Sequence, residues 1–141
     1  MSNKSKKEKG NRKKLTRSKL VKKLDKVFSE YIRRSHADKN GYIKCCTCGQ
    51  KRHWKDNMDN GHFVPRNHTR TRWDERNVAP QCRGCNRFGG GKPDEFAIYL
   101  MKKYGNNILQ EINQAKHAPY KIYTTEIETM IEDYKEKLKE L

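Results

Sequence analysis

Two Cys-x-x-Cys pairs, Cys45-Cys46-Thr47-Cys48 and Cys82-Arg83-Gly84-Cys85, bracket the part of this chain best equipped for chemistry. A two-residue gap lets a tight turn present both sulfurs to one tetrahedral ion, and four thiolates leave no position for water. Cys45, Cys48, Cys82 and Cys85 therefore read as a closed, structural zinc site. Cys46 is the odd cysteine, and spacing alone leaves open a pairing of Cys46 with Cys48. Between the pairs runs a polar stretch carrying His62, His68, Asn77 and Asn86, the carboxylates Asp59 and Asp74, and the guanidinium groups of Arg66, Arg70, Arg72, Arg76, Arg83 and Arg87. Phosphodiester hydrolysis needs a base to deprotonate water, a divalent cation against the developing charge, and a group that fixes the base's orientation. These residue types can fill all three roles, and planar guanidinium groups can grip phosphates through paired hydrogen bonds. Taken singly, His62 reads as a strand surface residue and the two asparagines as turn or cap residues. Their order between the cysteines carries the functional reading.

The charge balance points the same way. The 141-residue chain has a formal net charge of +16, with 35% charged against 33% hydrophobic residues. That excess calls for a polyanionic partner such as nucleic acid, with an acidic membrane surface as the competing reading. It also implies one domain with a thin core that gains from a metal staple. No stretch reaches the roughly 20 apolar residues of a membrane span, and the basic N-terminus is not followed by an apolar signal core. The expected location is the cytoplasm, where thiols stay reduced and favour metal binding over a disulfide framework.

The elements that must position these residues are short. Residues 1–17 form a run of Lys, Arg, Asn and Ser with Glu8 as its only acid, and read as a disordered basic arm. From about Ser18 to Ser35, Leu20, Leu24, Val27, Phe28, Tyr31 and Ile32 recur at helical spacing, opposite Lys22, Lys23, Lys26, Arg33 and Arg34. Between Lys39 and Asn86, turn signals at Asn40-Gly41, Asp59-Asn60-Gly61 and Arg83-Gly84 imply short strands and loops. Pro93, Asp94 and Glu95 open a helix that ends at Gly105, with Lys102 and Lys103 suiting its C-terminal dipole. A weaker helix is expected over 107–116. The last helix shows a capping box, Thr125-x-x-Glu128, and a stripe of Ile127, Ile131, Tyr134, Leu138 and Leu141 that suits either in-domain packing or dimerisation. Trp54 and Trp73 are expected to pack near the zinc.

The order Gly61-His62-Phe63, then Asn77-Val78, then Cys82-x-x-Cys85-Asn86 resembles the HNN variant of the HNH nuclease motif, closest to the bacteriophage NinG/Rap recombination endonucleases. The resemblance takes in Phe28-Ser29-Glu30-Tyr31-Ile32-Arg33-Arg34 and runs to about Tyr104. It implies an α+β fold in which a small zinc-stapled ββα-metal core (18–105) is flanked by an N-terminal helix and by a C-terminal helical region (106–141), the latter a possible dimerisation element. It also implies His62 as general base, Asn77 as the brace that orients it, and Asn86 as a ligand of a catalytic Mg²⁺ or Mn²⁺. The implied substrate is DNA, in the form of branched recombination intermediates such as Holliday junctions and D-loops, cut in the cytoplasm of a bacterial host. One departure stands out: where many HNH enzymes carry a metal-binding carboxylate before the base, this chain has Gly61. Asp59, Asp74 and His68 are the nearest substitutes, and spacing does not choose among them.

Two functions remain in view at this stage. One is a metal-dependent endonuclease; the other is a non-catalytic zinc ribbon that clamps DNA or RNA through its arginines. A two-fold symmetric junction needs two active sites, so the first reading carries a homodimer as a corollary.

Overall fold

The computed structural model describes residues 14–141, so the expected basic arm lies outside the described residues as far as residue 13. Helix α1 spans Arg17–Ser35 and starts where the Thr16 side chain accepts the Lys19 N–H, one residue before the expected boundary. Leu20, Leu24, Phe28 and Ile32 fall on one face at helical spacing and are buried. Strands β1 (Tyr42–Lys44) and β2 (Lys51–His53) form one antiparallel hairpin. Strands β3 (Met58–His62) and β4 (Val78–Cys82) form a second antiparallel pair, with His62 opposite Val78 and Met58 opposite Cys82.

The long connection from β3 to β4 is held by one helical turn, α2 (Thr69–Arg72), and a 3-10 turn at Glu75–Asn77. A π-helical turn, Gly84–Phe88, follows β4 directly. Then come α3 (Pro93–Tyr104), α4 (Ile108–His117) and α5 (Thr124–Lys139). The α+β class expected from sequence is observed, and no helix among the described residues is long and apolar enough to cross a membrane.

Strand β4 is the spine. All five of its residues are buried, because each side faces a different apolar cluster. Val78 joins α1 and α5, together with Trp73 and Ile122. Ala79 joins Val64, Phe96, Leu100, Ile108 and Ile112. Cys82 joins Ile43, Cys45, Met58 and Cys85. A strand covered on both sides cannot show polar-apolar alternation, which is why period-two patterning does not mark it.

Four expectations need correction. Asp59-Asn60-Gly61 is mid-strand rather than a turn, paired with Gln81, Pro80 and Ala79. Trp73 packs in the α1–α5 cluster and not beside the cysteines; only Trp54 borders them. The Thr125 capping box does not form, because α5 starts at Thr124 with Tyr123 in the cap position and no side-chain cap bond. The stripe on α5 faces inward: Ile127, Ile131 and Tyr134 are buried against α1, and the Phe28 and Tyr134 rings meet edge to face at 5.0 Å. An interface between two copies cannot use residues already spent on the monomer core. For the same reason the chain has no packing break at 105/106, since α4 and α5 complete clusters begun by α3 and α1.

Ile127 is fully buried between α5 and α1. Replacing it with Ala removes contacts the surroundings cannot recover, at a cost of about 2–5 kcal/mol. Urea denaturation should show that loss with no change in sedimentation.

Candidate functional site

Cys45 follows β1 and Cys48 sits in the turn before β2, while Cys82 ends β4 and Cys85 lies in the π-helical turn. Their four sulfurs all lie within 4.8 Å of one another. A tetrahedral ion with Zn–S bonds of about 2.3 Å holds its sulfurs about 3.8 Å apart, and the Cys48 and Cys82 sulfurs are separated by 3.8 Å. The backbone N–H of Cys48 donates to the Cys45 sulfur, and that of Cys85 to the Cys82 sulfur, each at 3.5 Å. These are the bonds that orient thiolates for a metal. Burial pushes the Cys45 thiol up, but hydrogen bonds from the Thr47 hydroxyl and neighbouring backbone N–H groups outweigh it and bring it to about 6. The four cysteines can hold a zinc ion. Cys46 is excluded from the set: it packs instead against the cluster around Phe96 and Leu100, and burial raises its thiol further.

At the other end of β3, a cleft of about 570 Å³ is lined by residues from α1, β3, the following loop and the π-helical turn. His62, Asp59, Asn86, Arg66 and Arg87 all border it. The His62 Nε2 lies 2.8 Å from the Arg72 carbonyl oxygen. A carbonyl only accepts, so Nε2 carries the proton and Nδ1 keeps its lone pair. Burial holds the imidazole below its ordinary histidine value, with the Arg72 carbonyl opposing and the Arg66 charge assisting. The His62 imidazole is thus held in one orientation and kept mainly neutral at neutral pH.

Asn77 does not touch His62. Fully buried, its Oδ1 accepts the Val64 N–H at 2.8 Å, and its Nδ2 donates to the carbonyls of Val64 and Thr71, each at 3.0 Å. Thr71 adjoins Arg72, so Asn77 braces the segment whose next carbonyl holds the imidazole. Its contact with that segment is made through the backbone.

Asn86 donates to the Asp59 Oδ2 at 3.1 Å, and Arg87 grips both Asp59 oxygens at 3.0 and 3.2 Å. The carboxylate that position 61 lacks is therefore brought to the cleft by Asp59. Position 61 has no room for one: a Cβ there would meet Gln81 Oε1 at 2.3 Å and Gln81 Cβ at 2.9 Å. Asp74 caps the 3-10 turn and pairs with Arg76, and His68 occupies the cap position of α2; neither lines the cleft. Asn60 Oδ1 is buried and makes no hydrogen bond, and Asn60 borders the same cleft. Asp59 and Asn86 meet at the cleft and carry carboxylate and carboxamide oxygens, the donor type that hard divalent cations take.

The arginines divide. Arg66 and Arg87 border the cleft, and Arg83 stands 4.0 Å from Asp59. Arg72 is clamped by Asp25 through two nitrogens, Arg76 by Asp74 and Glu111, and Arg70 lies over the Tyr120 ring on a separate depression. Arg72 and Arg76 are thus engaged as internal ties in this structure. Asp25, on α1, was not singled out in the sequence. It lines the cleft, holds Arg72, and accepts the Trp73 indole N–H at 2.9 Å. Its signal is weak: an acid on a strongly basic helix, adjacent to buried Leu24.

Two outcomes follow from these contacts. Cys82→Ser removes one of four converging sulfurs and should abolish bound zinc by metal analysis and lower the melting temperature. Gly61→Ala pushes into fully buried Gln81 and should cost about 1–3 kcal/mol, measured by chemical denaturation.

The family model described as "Bacteriophage Lambda NinG protein" matches residues 1–141. The curated protein ninG of Salmonella phage P22 is 27% identical over 128 residues, covering 89% of this chain and 59% of that protein. Protein ninG of Escherichia phage lambda is 26% identical over 128 residues, covering 89% and 58% respectively. The chain thus spans somewhat more than half the length of these relatives. No solved structure matches. The cysteine cluster and the polar cleft accordingly belong to a chain that is a member of the bacteriophage NinG family.

Proposed function

We propose that this protein is a divalent-metal-dependent DNA endonuclease of the HNH-like ββα-metal type, acting on branched recombination intermediates. The observation that carries the reading is His62: its Nε2–H is tied to the Arg72 carbonyl, which leaves the lone pair on Nδ1, and the residue borders a cleft shared with Asp59 and Asn86. The antiparallel β3 and β4 followed by a short helical turn support the ββα reading by their order along the chain. The basic surplus of the chain supports a DNA partner.

In this mechanism His62 Nδ1 takes a proton from the attacking water. The Arg72 carbonyl accepts the hydrogen bond from Nε2–H and steadies the imidazolium that results. Asn77 keeps that carbonyl in place by holding its neighbours. Arg66 and Arg87 grip the phosphate at the mouth of the cleft. Asp59 and Asn86 would hold a Mg²⁺ or Mn²⁺ ion, which when bound would supply positive charge against the charge that develops during hydrolysis. Asp59 is paired with Arg87 in this structure, so binding such an ion means Arg87 turning from the carboxylate to the phosphate.

Zinc-loaded protein should nick plasmid or four-way DNA in Mg²⁺ or Mn²⁺, and His62→Ala should lose about 10²–10⁴-fold in rate while still binding DNA. Because burial depresses the His62 value, cleavage should hold at pH 7 and decline only below the ordinary histidine range, at about 6.5. The same depression removes stability as pH falls, since the unfolded chain takes up the proton first. Wild-type protein that binds DNA but never cuts it in either metal would return the chain to the alternative reading, a non-catalytic zinc ribbon that binds DNA or RNA.

A further inference from the structure

Phe88 is 88% exposed, far beyond any other large apolar side chain among the described residues; Tyr123 follows at 56%. It closes the π-helical turn that also carries Cys85, Asn86 and Arg87. That turn is firmly anchored. The Gly89 N–H donates to the Gly84 carbonyl at 2.8 Å, and the Gly91 N–H to the Cys85 carbonyl at 2.9 Å. Gly89 lies so close to Cys85 that an added Cβ would meet its carbonyl oxygen at 2.9 Å. A ring projected into water from an immobile turn, two residues from the candidate metal ligand Asn86, gains nothing for folding. Interruptions of this kind in helical backbone recur at functional sites.

The surroundings select the occupant. Beside Phe88 lies a shallow depression of about 240 Å³ lined by Arg52, Asn57, Arg83 and Gly84, and Arg87 precedes the ring in sequence. Two guanidinium groups and no carboxylate line it, which disfavours an apolar protein partner and suits a polyanion. A phenyl ring has no hydrogen-bonding group to read a base edge, but it stacks on the face of any base. Fully paired duplex hides those faces. An apolar side chain that wedges between the steps of a duplex must unstack them, whereas a base face is offered without that cost where pairing is interrupted.

We propose that Phe88 is a stacking platform for a nucleobase unpaired at a DNA branch point, seated there while Arg52 and Arg83 hold the adjoining phosphates. This deepens the endonuclease reading by naming what distinguishes branched from linear substrate, and it rests on that reading only for DNA as the ligand. Stacking on one aromatic ring is worth about a tenfold change in affinity.

The test measures binding without cleavage. Zinc-loaded wild-type protein and Phe88→Ala are titrated, in buffer free of added Mg²⁺ and Mn²⁺, onto a four-way junction and a linear duplex of matched sequence. The junction carries 2-aminopurine at the branch point, and the duplex carries it at the same position in the matched sequence. The wild type should prefer the junction and change the 2-aminopurine emission on binding. Phe88→Ala should reduce the junction-to-duplex affinity ratio about tenfold and abolish the emission change, and Phe88→Trp should restore both. A ratio and emission unaltered by Phe88→Ala would overturn the proposal, as would a self-associating wild type that Phe88→Ala converts to monomer. Cleavage is not read, so protein that stacks but never cuts sinks the endonuclease reading alone. Protein that cuts but ignores Phe88 sinks this proposal alone.

Discussion

The convergence of four thiols is the constraint from which the rest of the architecture follows. Cys45 and Cys48 come from the β1–β2 hairpin, Cys82 and Cys85 from the end of β4 and the turn beyond it. Two small sheets with no hydrogen-bonded strand between them are thereby fastened at one point. The π-helical turn, which carries both a cysteine and Asn86, is fastened with them. In a chain with 33% hydrophobic residues, a zinc ion held there would supply folding energy that apolar burial cannot. Gln81 extends the link toward the cleft: its Nε2 donates to Thr47 Oγ1 at 3.1 Å and to the Gly91 carbonyl at 2.9 Å. Thr47 in turn lies 3.3 Å from the Cys45 sulfur.

The cleft is organised by buried amide groups more than by charge. Asn77 satisfies its carboxamide entirely with backbone from the β3–β4 connection, so a loop with little apolar content keeps one conformation. A buried amide left unpaired is costly, and a fully paired one specifies a single arrangement. Through the Thr71–Arg72 segment that order reaches the imidazole of His62. Asp25 adds a second hold from α1, by gripping the Arg72 guanidinium and the Trp73 indole. The imidazole is thus positioned by the β3–β4 connection, which α1 in turn holds from a distant part of the sequence.

Electrostatics follows the same economy. The few acids near the cleft are spent on arginines: Asp25 on Arg72, Asp74 on Arg76, Asp59 on Arg87. Local neutralisation lets a chain of net charge +16 fold around closely spaced guanidinium groups. It leaves Arg66 and Arg83 the more weakly held, at 3.8 and 4.0 Å from their nearest carboxylates.

Much of this was legible in residue order. The doubled Cys-x-x-Cys spacing pointed to a four-sulfur site, the helical repeat of Leu20, Leu24, Phe28 and Ile32 marked α1, and the order of His62, Asn77 and Asn86 singled out two residues that line one cleft and a third that braces the connection beside it. These are local or periodic signals, carried by residues a few positions apart or by motif order. Other features rest on contacts between distant segments and leave no such trace. Choosing Cys45 over Cys46 required seeing which thiol faces the other pair, and choosing Asp59 over Asp74 and His68 required the β3–β4 register. Gly61 reads as a missing ligand until Gln81 is seen filling its space. The α5 stripe could serve a partner or the core with equal periodicity, and only its packing on α1 decided for the core. Sequence spacing by itself determined which residue types are available to metal and phosphate; tertiary packing decided which of them meet, because burial and pairing depend on what lies opposite in space.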